Sequence, residues 1–133
     1  MVMLMLWVSI SAHAQLTSVP EVAHADIEYK TVAEALSVLQ SKPGVEISRQ
    51  RNWTIIVEPK VQVIWSFAPE GHPAYPSVVK RSIKDRNGKV YVDMAVKCDS
   101  TKEACDALVR EFIKMSADTR AYMQAHDKAG NIE

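Results

Sequence analysis

Asn87-Gly88, flanked on each side by eight residues of alternating character, constrains this chain more than any other feature. Asn-Gly favours a two-residue type I′ turn, because both residues tolerate positive φ. Such a turn pairs Arg86 with Lys89, and counting outward sorts both arms into two faces. One face carries Val79, Arg81, Ile83, Asp85, Val90, Val92, Met94 and Val96. The other carries Lys80, Ser82, Lys84, Arg86, Lys89, Tyr91, Asp93 and Ala95. The first is predicted to meet the core and the second to meet water or a partner. A chain with this hairpin must build an antiparallel sheet.

The remaining periodicities fill in that sheet and its cover. Thr31-Val32-Ala33-Glu34 is a capping-box pattern, and Val32, Ala35, Leu36 and Leu39 recur at helical spacing until Lys42-Pro43-Gly44. Val45, Ile47, Trp53, Ile55 and Val57 share one face only if an odd loop joins two strands. A three-residue loop at Gln50-Arg51-Asn52 is therefore predicted. Val61, Val63, Trp65 and Phe67 alternate along a third strand, and a Pro-rich loop runs from Ala68 to Pro76. A long helix is predicted from about Lys102 to His126. Its buried stripe is Cys105, Leu108, Val109, Phe112, Met115, Thr119, Tyr122 and Met123. The order helix, five strands, helix predicts an α+β fold: a two-layer sandwich of an antiparallel meander, with both helices on one face. Ile56, Ile64 and Val78 then project from the outer sheet face, where a contiguous cluster would offer a homodimer surface.

Val2 to Ile10 form an apolar run followed by Ala12-His13-Ala14, a small-x-small cleavage pattern, although no Lys or Arg precedes the run. The run is too short to span a bilayer. The expected organisation is a signal peptide at 1–14 cut near Ala14-Gln15 and a loose arm at 15–30. One domain follows at 31–128, with a frayed tail at 129–133. The expected location is periplasmic or secreted. Cys98 and Cys105 fit that compartment as one disulfide. On one helix they would lie about 10 Å apart, too far to bridge. They can bridge if Cys98 ends a strand and Cys105 opens the next helix, which the pattern Ser100-Thr101-Lys102-Glu103 would start.

Charge bears on partners. Sixteen basic and sixteen acidic residues cancel, which argues against a nucleic-acid binder held by bulk charge. Within Val45 to Lys97, nine basic and five acidic residues leave a local balance of +4. Lys80, Lys84 and Arg86 share one hairpin face with Lys89, a docking patch for an acidic envelope protein, a polysaccharide or another anionic surface. A solvated strand face is the plainer reading. Arg81 and Asp85 fall on the core face, so they pair with each other or with another acid, are turned outward by a bulge, or line a polar cleft.

Trp65 to Pro76 concentrates further chemistry. His72 is a weak candidate general base, with Glu70 and Tyr75 assisting, and Trp65, His72 and Tyr75 are candidate binding residues. A Pro-braced structural crossover is the plainer alternative. Gly-rich phosphate loops, G-x-S-x-G and H-E-x-x-H are absent from the sequence, so no cofactor and no metal is predicted.

The segment W-S-F-A-P-E-G-H-P-A-Y-P-S-V-V-K-R, Trp65 to Arg81, resembles one met in small uncharacterised exported proteins of Gram-negative bacteria. Their chains also carry a Tyr-Lys-Thr-Val-Ala-Glu-Ala-Leu-like helix and a Cys-bearing final helix. The resemblance implies a periplasmic setting and transfers no catalytic residue. The leading expectation is a binding or interaction module without catalytic activity. The alternatives are a small hydrolase or lyase using His72, and a ligand carrier with a sheet–helix cavity lined by Trp53, Trp65 and Phe112.

Overall fold

A computed structural model describes residues 27–130. The expected signal peptide, the arm up to residue 26 and the tail at 131–133 lie outside the described residues. Helix α1 (Val32–Gln40) is followed by β1 (Glu46–Gln50), β2 (Trp53–Glu58), β3 (Val63–Phe67), β4 (Ser77–Arg86), β5 (Lys89–Cys98) and α2 (Lys102–Gly130). The strands form one antiparallel sheet in the order β1-β2-β3-β4-β5, so the α+β class and the five-stranded meander stand as the periodicity predicts. Among the described residues no helix is long and apolar enough to cross a membrane.

Local signals act where they were read. Thr31 Oγ1 accepts from Glu34 N at 3.0 Å, and the Glu34 carboxylate reaches back to Lys30 N at 2.8 Å, which satisfies two donors at the α1 N-terminus. Arg86 pairs with Lys89 across Asn87-Gly88, both at positive φ. Thr101 Oγ1 accepts from Ala104 N at 3.2 Å and starts α2. That start brings Cys105 to Cys98 at bonding distance, with Cα atoms 5.9 Å apart.

The two helices lie on opposite faces of the sheet, which corrects the two-layer arrangement. Register carries Ile47, Ile56, Trp65, Lys80 and Ala95 across one face. There Val32, Ala35 and Leu39 of α1 pack with Ile56, Val63, Trp65, Phe67 and Val78. Val79 and Met94 point the other way and pack with Leu108 and Phe112 of α2. A helix on each face asks for apolar residues on both, so no odd loop is needed. The β1–β2 connection is the two-residue turn Arg51-Asn52, at φ 49° and 67°, and it pairs Gln50 with Trp53. Ile56 and Val78 are fully buried beneath α1 while Ile64 belongs to the α2 side, so the expected outer cluster does not form.

Two further readings shift. Ile27 and Tyr29, at the end of the expected loose arm, pack on the α1 layer, with the Tyr29 and Trp65 ring centres 5.7 Å apart in an edge-on arrangement. In α2, Met115 and Tyr122 are exposed and Ser116 is buried in their place, because the helix keeps the 108–112–116 line against the sheet. The far end of α2 guards the β5 edge. The Gln124 side chain accepts from Val90 N at 3.0 Å and donates to Gly88 O at 3.1 Å.

Candidate functional site

Helix α2 runs along β5 and leaves the β1–β3 half of its sheet face without a helix. Trp53, Ile55 and Val57 of β2 and Ile64 of β3 stand half-buried there. Phe112 and Met115 of α2 form the facing wall. The groove between them measures about 490 Å³, within the ~300–1,000 Å³ of small-molecule sites.

Three polar side chains line this groove from strand positions: Gln50, exposed at the end of β1, and two that are buried. Ser66 on β3 is 1% exposed and Arg81 on β4 is 8% exposed, and both line it. Strict alternation puts Arg81 on this face, directly across from Ile64 in the β3–β4 pairing. Its guanidinium carbon lies 5.4 Å from the centre of the Phe112 ring. Its Nε is buried without a hydrogen-bond partner. Among the described residues the ion pairs are Lys42–Glu58, Lys80–Glu28, Arg86–Asp93 and Lys102–Asp106, and Arg81 is in none of them. Burial pushes its pKa down, yet a guanidinium keeps its proton in proteins. Asp85, the expected partner four residues on, is exposed near the hairpin tip and turns its carboxylate to Gly88 N at 3.0 Å. The groove mouth adds Arg51 from the β1–β2 turn and Glu111 from α2, one charge of each sign.

The other predicted residues are dispersed. Trp65 faces α1, so it cannot share a pocket with Arg81 or line a cavity with Trp53 and Phe112. Its indole N–H donates to Glu58 at 2.8 Å, and Glu58 also pairs with Lys42. His72 is half-buried. Its ring meets Trp53 edge-on at 5.1 Å, and its Nδ1 accepts from Ala74 N at 3.0 Å, which places the neutral ring's proton on Nε2. His72 N bonds Pro69 O, His72 O receives Tyr75 N, and Ser100 Oγ donates to Pro73 O at 2.6 Å. The Pro-rich loop is thereby tied to itself and to the start of α2. Glu70 and Tyr75 are exposed, and neither bonds His72 through its side chain.

The basic hairpin face is divided too. Lys80 pairs with Glu28 and lies 5.1 Å from the Trp65 ring centre. Arg86 lies 3.8 Å from Asp93 and 5.4 Å from the Tyr91 ring, while Lys84 is exposed. Among the described residues no three His, Cys, Asp or Glu side chains converge on a metal position.

Arg81 is legible in the sequence as a charge on a core face, and Trp53 and Phe112 as cavity walls, but the rest of the lining is not. Ile55, Val57 and Met115 carry no chemistry of their own, and only the pairing of β2 with β3 and the position of α2 bring them together. No protein-family model, curated protein or solved structure matches this chain.

Proposed function

We propose that this protein is an exported, non-catalytic binding module, and that its working site is the groove between β2–β3 and α2. One observation carries this reading. Arg81, 8% exposed as a residue, lines an apolar groove with its Nε buried and unpartnered. A buried charge without a partner costs stability, so a ligand that completes it repays the site. The apolar-run leader, the disulfide and the resemblance to small exported proteins support the periplasmic or secreted setting.

The other readings draw less support from the geometry. A hydrolase or lyase built on His72 needs a free ring nitrogen beside an assisting group. Here the Nδ1 lone pair is taken by Ala74 N, so the neutral ring offers Nε2 as a donor and no free base, and neither Glu70 nor Tyr75 bonds it through its side chain. A docking patch on the hairpin keeps Lys84 and Lys89 as exposed cations outside the described ion pairs, because Lys80 and Arg86 already face acidic and aromatic neighbours.

The test titrates the disulfide-bonded protein with three ten-carbon amphiphiles: decanol, decanoate and decylammonium. Saturable change in Trp53 emission by any of them, with a matching rise in melting temperature, is the expected result. Trp65 lies on the opposite face, so Trp53→Phe should abolish the optical response. Absence of saturable binding by all three overturns the groove reading.

A further inference from the structure

We infer that the groove takes a single-chain carboxylate amphiphile of the fatty-acid class, bound head-inward with its carboxylate on Arg81 and its alkyl chain between β2–β3 and α2. The inference rests on the groove being the working site and adds the chemistry of what fills it.

The floor and the walls make different demands. Arg81 offers a planar fork of donors that matches the two oxygens of a carboxylate. Ser66, on the same sheet face and nearly fully buried, lies diagonal to it in the β3–β4 register and adds a hydroxyl donor to the groove lining. No second cation shares the floor: Arg51 sits in the exposed β1–β2 turn, at the mouth. One fork and one hydroxyl suit a monoanion better than a phosphate, which binds where several cations converge. Glu111 at the mouth balances Arg51, so the entrance has no net attraction for a dianion. The walls are aliphatic and aromatic, from Ile55, Val57, Ile64, Phe112 and Met115. These walls offer no hydrogen bonds and gain from each methylene withdrawn from water; the remaining polar lining, the Gln50 amide, is exposed at the end of β1.

The three-ligand titration separates this inference from the groove reading. Decanoate should bind about tenfold or more tightly than decanol, as expected for a charge-assisted bond to a buried fork. Decylammonium should bind most weakly. Lengthening the carboxylate from eight to ten carbons should tighten binding about fourfold per methylene. Arg81→Met keeps the apolar stem, removes the charge, and should reduce the decanoate-to-decanol preference to about one. It should also raise the melting temperature of the ligand-free protein, a gain that a charge serving only the fold would not give. Should Arg81→Met fail to fold, Arg81→Lys keeps the charge, loses the fork, and should bind decanoate several-fold more weakly at unchanged decanol affinity. Equal affinities for decanoate and decanol in the native protein overturn the inference while leaving the groove reading in place. So does a decanoate preference that survives both substitutions.

Discussion

The Trp65 indole N–H donates to the Glu58 carboxylate at 2.8 Å in the layer beneath α1, and Lys42 closes the same carboxylate from the end of that helix. Burial pushes the Glu58 carboxyl up, yet the hydrogen bonds from Lys42 and Trp65 outweigh it and hold the group below its ordinary 4.5. A carboxyl depressed in the folded state contributes stability that is fully present above its unfolded value. That stability is lost as pH falls through the lower folded value. Urea unfolding should therefore show declining stability below about pH 4.5. Glu58→Gln should cost about 1–3 kcal/mol at pH 7 and flatten this acid limb. An acid limb as steep in Glu58→Gln as in the native protein would assign it to other carboxylates.

The Cys98–Cys105 pair ties the end of β5 to the first turn of α2 over a sequence separation of 7. Loop closure of that size is worth about 2–3 kcal/mol in the chain-entropy account. The double substitution Cys98→Ser, Cys105→Ser should lower the melting temperature by roughly 10 °C. Calorimetry with and without a reductant checks this, and the serine variant should no longer respond to reductant.

Lys80, Lys84 and Arg86 share a strand face but not an environment. Lys80→Glu removes the contact with the Trp65 ring and sets two acids together with Glu28, so it should cost about 1–2 kcal/mol. Lys84→Glu and Arg86→Glu lie in the exposed half of the strand and should stay within about 0.5 kcal/mol. Chemical denaturation of the three single variants separates them. Equal losses would show that the face behaves as one patch.

Gln124 caps the free edge of β5 through Val90 N and Gly88 O. Gln124→Ala should speed hydrogen exchange at the Val90 amide and cost about 1 kcal/mol. Because an uncapped edge invites strand pairing, the variant should also self-associate more readily in sedimentation. Unaltered exchange at Val90 would mean that water satisfies the edge equally well.

Much of the fold was legible because short-range physics decides it. Asn87-Gly88 set the pairing of Arg86 with Lys89, and Thr31 and Thr101 capped the helices. The position of Thr101 then brought Cys105 within reach of Cys98. Each depends on residues only a few positions apart.

What the sequence by itself determined is which side chains share a face: period two in the strands and 3.6 in the helices sort them without any partner. Only the tertiary structure decided which faces are covered. Val32, Ala35 and Leu39 could equally have packed beside α2, and the odd loop at Gln50-Arg51-Asn52 followed from that assumption. With α1 on the far side, Ile56 and Trp65 turn to it, and Trp53, Ile55 and Val57 are left beside Arg81. Periodicity records that a stripe is apolar, but it carries no information on which of two apolar surfaces the stripe will bury against. The groove exists because of that choice.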